Sequence, residues 1–147
     1  MAILKIRKLG DPVLRSNAKK VNEINEKTRE LLKNMADTMY DAPGIGLAAP
    51  QVGVLQRIVV VDVDDENGLI ELINPEIVSS SEEKDIFEEG CLSVPEQTAE
   101  VIRPSKIRVK ALDRNAKEIE FDAHGLLARA IQHELDHLEG VLFIDKV

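Results

Sequence analysis

Two histidines four residues apart flank a glutamate in the stretch His133-Glu134-Leu135-Asp136-His137. On an α-helix this spacing places the two imidazoles one turn apart on the same face. A pair so placed can hold one metal ion, and a neighbouring carboxylate can handle the proton of an activated water. The H-E-x-x-H spacing therefore suits metal-assisted hydrolysis, provided that the stretch is helical.

The surrounding residues supply that context. Advancing about 100° per residue from Gly125, Arg129, Gln132 and Asp136 fall in one polar wedge. His133 and His137 lie beside Leu126 and Ala130, Glu134 is at the edge of that group, and Leu127, Ile131, Leu135 and Leu138 fill the remaining arc. A helix apolar over most of its circumference belongs inside a domain. Ionisable side chains there are costly to bury without partners. Hydrogen-bonded core residues are the plainer reading, but a His pair with an adjacent Glu favours a metal.

A hydrolytic metal site usually has three protein ligands and one open position. Downstream of His137 only Glu139 and Asp145 are acidic, both too close in sequence to belong to a second helix, and the position of a further histidine after Gly140 is Phe143. Upstream, His124 would point about 180° away from His133 on the same helix. The remaining candidate is Cys91, the single cysteine, preceded by Gly90. Free cysteines are commonly small buried hydrophobes, yet beside a His pair that lacks a ligand the metal is the better reading.

With 147 residues, 44% of them hydrophobic and 31% charged, the chain is expected to form one soluble domain, 1–147, with a real core. A net charge of -8 argues against general binding to nucleic acid or anionic membranes. One cysteine excludes an internal disulfide and fits a reducing compartment. Met1 to Gly10 lacks the apolar core of a secretory signal, and no run reaches membrane-spanning length, so the expected location is the cytoplasm.

The elements follow from periodicity. Asp11-Pro12 predicts a short helical turn, and Lys19 to Ile24 reads as loop. From the N-cap candidate Asn25 to about Tyr40, Leu31, Leu32, Met35 and Met39 recur at amphipathic helical spacing. Asp41 to Gln51 is a Gly-Pro-rich stretch that composition alone reads as a turn into a strand. Arg57–Val63, Gly68–Ile73 and Glu76–Ser80 read as strands, the last two interrupted by Asn74-Pro75. Glu82 to Glu89 is acidic, with Ile86 and Phe87 as its apolar anchors. Lys106–Leu112 and Lys117–Ala123 alternate as a hairpin around Asp113–Ala116, its outer charges of opposite sign. The expected class is α+β: antiparallel β-sheets wrapped around a central metal-binding helix carrying HELDH, with the N-terminal amphipathic helix packed outside.

Three stretches together carry a resemblance. Gly44-Ile45-Gly46-Leu47-Ala48-Ala49-Pro50-Gln51, Glu89-Gly90-Cys91-Leu92-Ser93 and Gln132-His133-Glu134-Leu135-Asp136-His137 resemble, in order and spacing, the peptide deformylase motifs G-x-G-x-A-A-x-Q, E-G-C-x-S and Q-H-E-x-D-H. The resemblance spans nearly the whole chain. It implies a metal-dependent hydrolase that removes the N-formyl group from the initiator methionine of nascent polypeptides and releases formate. Cys91, His133 and His137 would be the ligands, with hydroxide on the metal attacking the formyl carbon and Glu134 as general base and acid. The resemblance assigns the oxyanion donors to the Gln51 side-chain amide and the Leu92 backbone N–H. It also makes the glycine loop part of the site: substrate backbone would pair near Gly46 and Gly90, with Gly44 giving the loop its close approach. Ile45, Leu126 and Ala130 would line the methionine pocket, with Phe87 as a further candidate. Arg129 reads equally as the pocket rim or as a solvated arginine.

The ligand set is compatible with Fe²⁺, Zn²⁺, Ni²⁺ or Co²⁺, and the resemblance favours Fe²⁺. A monomer acting on N-formylmethionyl nascent peptides is expected. Many deformylases continue into a C-terminal helix implicated in ribosome docking; here the sequence stops at Val147, so that helix is expected to be missing and any ribosome contact transient. Two other readings are a zinc endopeptidase, which lacks its downstream ligand, and a metal-stabilised structural domain, for which a fourth ligand is lacking.

Overall fold

The computed structural model describes residues 3–146. Met1, Ala2 and Val147, the ends of the expected domain, lie outside the described residues. Asp11 caps a short 3-10 turn, Pro12–Arg15, by accepting from the Val13 N–H. Helix α1 (Glu26–Asp41) begins where expected, because the Asn25 side chain accepts from the Lys27 and Thr28 N–H groups. Such a cap stabilises a helix by about 1 kcal/mol. Seven strands follow: β1 (Gly46–Ala48), β2 (Ile58–Val61), β3 (Ile70–Ser80), β4 (Lys84–Cys91), β5 (Val94–Pro104), β6 (Lys106–Leu112) and β7 (Glu118–His124). Helix α2 (Gly125–Leu138) comes next, and Phe143–Lys146 forms a last 3-10 turn.

The strands make an antiparallel sheet in the order β1-β2-β3-β6-β7 and a separate antiparallel hairpin, β4-β5. The Ile58-Val59-Val60-Val61 run explains how helices come to cover both faces of the larger sheet. With side chains alternating along the strand, Val59 and Val61 join the core formed with Leu127, Ile131, Leu135 and Leu138 of α2. Ile58 and Val60 join the opposite core with Leu32, Met35 and Met39 of α1. Each fully buried aliphatic side chain contributes about 1.5–3 kcal/mol, so this strand fixes both helices to one sheet. A third cluster, Leu14, Val94, Val101, Leu142 and Phe143, seals β5 against the last turn. The α+β architecture is as expected: strands enclose α2, and α1 packs on the outer face.

Two expectations are corrected. The Asn74-Pro75 pair does not divide two strands; β3 runs through it with a bulge between Ile73 and Glu76. Asn74 takes a left-handed φ of 52° there. Its side-chain amide bonds both the N–H and the carbonyl of Val21, which satisfies the loop backbone across from it. The acidic stretch is the strand β4, and Ile86 and Phe87 do not anchor it: they are 60% and 62% exposed. Its fixed side chain is Glu89, described below. The β6-β7 hairpin is as expected, with Arg108 bonded to Glu120 and Asp122 and Lys110 paired with Glu118.

Candidate active site

Helix α2 is buried continuously from Leu127 to Leu135. The polar wedge of Arg129, Gln132 and Asp136 is covered by β5: Gln132 donates to the Pro104 carbonyl and Arg129 to the Val101 carbonyl. His133, Glu134 and His137 therefore sit inside the fold, at 7%, 5% and 1% exposure. Cys91 ends β4 at the turn into β5 and brings its thiol onto them. Cys91 Sγ is 3.3 Å from His137 Nε2, which is 3.3 Å from His133 Nε2. Among the described residues these three donor atoms form the cluster able to hold a metal ion, all within 4.8 Å of one another.

The His133–His137 nitrogen separation of 3.3 Å is compatible with a shared ion. A tetrahedral ion with ligand arms of about 2.0 Å for nitrogen has donor–donor edges of about 3.3 Å. Glu134 Oε1 is moreover buried beside the donors with no protein partner, which fits a carboxylate whose partner is a water or an ion. One thiol and two imidazoles fit a borderline-soft divalent cation. His124, the third histidine, is the exposed N-cap of α2 and takes no part. Phe143 stands where a further histidine would be needed and stacks on His133, with ring centroids 6.1 Å apart.

Behind the donors lies a buried charge cluster. His133 Nδ1 is 3.0 Å from Glu89 Oε1, the carboxylate contact that fixes the ring of a metal-ligating histidine. Arg103 grips the same carboxylate bidentately, at 2.6 and 3.0 Å, and reaches Asp136 at 2.8 Å. Arg129 donates to Glu89 Oε2 at 2.5 Å. Burial pushes the Glu89 carboxyl up, but the hydrogen bonds from His133 and Arg103 outweigh it and hold the group at about 2. At Glu134 burial prevails and pushes the carboxyl up to about 7. Burial pushes His137 down.

Gln51 is oriented unambiguously. Its Oε1 accepts from the Ala48 N–H at 2.9 Å, so its Nε2 faces the site, donating to Ser93 Oγ at 3.1 Å and lying 3.5 Å from Cys91 Sγ. A cavity of about 460 Å³ opens in front of the donors. Gly44, Ile45, Gly46, Gln51, Gly90, Cys91, Leu92, Leu126, Arg129, Ala130, His133 and Glu134 all border it, while His137 lies behind.

A profile of the polypeptide deformylase family matches residues 3–147. Peptide deformylase of Halothermothrix orenii is 65% identical over 147 residues, covering 100% of this chain and 95% of that one. The chain belongs to the peptide deformylase family. Among solved structures, the Thermotoga maritima deformylase matches with a TM-score of 0.96 at 45% identity, covering 100% of this chain and 99% of that one. The Ehrlichia chaffeensis deformylase in complex with actinonin matches with a TM-score of 0.97 at 40% identity, covering 100% and 90%. Peptide deformylases are metal-dependent hydrolases that remove the N-formyl group from nascent peptides, and this chain is a hydrolase of that kind.

All three deformylase motifs thus converge on one cavity. Phe87 is the exception among the pocket candidates: it does not border the cavity, and its exposed ring instead lies 5.6 Å from the Arg129 guanidinium. Arg129 borders the cavity as the rim reading had it; at 7% exposure it is no solvated arginine. Sequence reasoning missed the roles of Glu89, Arg103 and Ser93. Glu89 and Ser93 had a signal, since they open and close the second deformylase motif; Arg103, in Val101-Ile102-Arg103-Pro104, had none.

The close approach of the glycine loop is measurable. A Cβ at Gly46 would stand 2.5 Å from Glu134 Oε2 and 2.9 Å from its Cγ. Gly46→Ala is therefore expected to displace the Glu134 carboxylate and lower kcat by about 10²-fold, with the melting temperature nearly unchanged. Steady-state deformylation and a thermal melt of the same preparation check both halves.

Proposed function

We propose that Cys91, His133 and His137 hold one divalent cation and that Glu134 moves the protons of deformylation. The observation that carries this reading is the convergence of three donor atoms beside a buried carboxylate, Glu134, which has one oxygen free and 4.0 Å from His137 Nε2. A cation bound there supplies Lewis acidity, which makes water acidic near neutral pH and polarises an amide oxygen. Glu134 takes the proton of the attacking water and returns one to the leaving amine. A carboxyl lifted towards neutrality by burial, then drawn to its anionic form by a neighbouring cation, suits both halves of that task.

The remaining roles follow from position. Gln51 Nε2 and the Leu92 N–H are the donors for the developing oxyanion; each such donor is worth about 3–4 kcal/mol. Gly46 and Gly90, at the ends of β1 and β4, offer backbone to an extended substrate. Gly44, Ile45, Leu126 and Ala130, with the Arg129 rim, form the pocket for the methionine side chain. A monomer is the proposed working unit. Its proposed substrates are N-formylmethionyl nascent peptides in the cytoplasm, met through transient contact with the ribosome. Among the described residues no helix is long and apolar enough to cross a membrane.

The native metal is proposed to be Fe²⁺. Anaerobic protein loaded separately with Fe²⁺, Ni²⁺ and Zn²⁺ is expected to release formate from a formyl-methionyl peptide fastest in the iron form, with that activity lost in air. A fastest zinc form contradicts the assignment.

A further inference from the structure

Residues 3–9 belong to neither sheet, yet the last three residues of this segment are bonded to the site. The Arg7 N–H donates to the Gln51 carbonyl at 2.6 Å, and the Leu9 N–H to the Ser93 carbonyl at 2.8 Å. Between them the Lys8 ammonium donates to the Leu92 carbonyl at 3.0 Å. The segment thus attaches to both stretches from which the oxyanion donors come. Gln51 Nε2 also spans them directly, bonding Ser93 Oγ and lying 3.5 Å from Cys91 Sγ.

The segment is itself anchored. The Leu4 N–H donates to Thr38 Oγ1 at 2.8 Å, and the Leu4 side chain packs on the α1 core. The Arg7 guanidinium pairs with Asp11 at 3.1 Å and lies over Gly53, where a Cβ would come within 2.8 Å of Nη2. Gly53 has φ +84° and closes the 3-10 turn that bears Gln51. Lys8 is the one member of this strap whose side chain reaches the Leu92–Ser93 turn directly.

We propose that Lys8 is a positioning residue for deformylation, holding the Leu92–Ser93 turn in fixed relation to Gln51. The proposal rests on the reading of Gln51 and Leu92 as the oxyanion donors. Donors act in the transition state only if they are placed in advance. A strap tying both donor segments to one anchored chain does that without touching the substrate. Loosening it therefore falls on kcat and spares ground-state binding.

The test compares Lys8→Met, Lys8→Arg and Gln51→Leu in the metal-loaded full chain, reading kcat, KM, metal content and melting temperature with a formyl-methionyl peptide. Lys8→Met is expected to lower kcat by about threefold to tenfold, less than the loss of a donor itself, with the other three readouts unchanged. Lys8→Arg, which keeps a cationic donor, is expected to restore kcat. The proposal is overturned if kcat is unchanged in Lys8→Met, if the change falls on KM or melting instead, or if arginine does not restore the rate. Full kcat in Gln51→Leu overturns the donor reading beneath it. A slow Gln51→Leu beside a normal Lys8→Met overturns the role of Lys8 alone.

Discussion

Glu134→Gln is expected to lower kcat for a formyl-methionyl peptide by about 10²–10⁴-fold, the span that a positioned general base and acid supplies, while the protein keeps one metal per chain. Glutamine has nearly the same shape, so the core beside His133 and Gly46 is not disturbed. It cannot accept a proton from water, nor give one to the leaving amine. Glu134 is well suited to such a separation. Its Oε1 has no protein partner, so the substitution breaks no hydrogen bond at that atom, and only the chemistry is lost. Steady-state kinetics paired with metal analysis of the same sample checks it. A variant of near-normal kcat would move the proton transfers to another group; a variant without metal would make Glu134 a structural support.

Cys91→Ala is expected to lose the metal and, with it, activity by at least about 10³-fold. Lewis-acid stabilisation is worth several kcal/mol, and each 1.36 kcal/mol is about tenfold in rate. The donor atom removed lies 3.3 Å from His137 Nε2, so the cluster falls to two imidazoles, a chelate that a competing ligand strips readily. The wild-type chain should lose activity in strong chelator and regain it on addition of Fe²⁺, whereas Cys91→Ala should not regain it. Metal content after gel filtration, with formate release before and after metal addition, separates these outcomes. Retention of metal and rate in Cys91→Ala would remove sulfur from the site.

Both helices and the β6-β7 hairpin were legible because their signals are local. Leu32, Met35 and Met39 recur at helical spacing and all face one core, and the charges of β6 and β7 alternate with buried residues and pair across the hairpin. The proposed metal donors were legible for a mixed reason: two share one helix face, and the third was the single thiol. The β4-β5 hairpin was obscure. Its outer face carries exposed Ile86 and Ile102, so no clean polar–apolar alternation marks it. Besides Val94 and Val101, what it buries is charge. Arg103 lies 14 residues from Glu89 and 33 from Asp136, and no local pattern announces that three such groups meet. Arg129 was ambiguous for the same reason, because the wedge it occupies is covered by β5, an element that its own helix does not reveal. The Asn74-Pro75 pair looked like a strand break because a proline cannot donate to a ladder; the bulge removes the need for it to do so.

X-ray absorption at the metal edge of freshly loaded, anaerobic protein tests the central claim most directly. One sulfur scatterer at about 2.3 Å beside nitrogen ligands that include two imidazoles at about 2.0–2.1 Å is the predicted first shell, with the sulfur contribution gone in any metal retained by Cys91→Ala. A shell of nitrogen and oxygen alone in the unaltered protein would contradict the account.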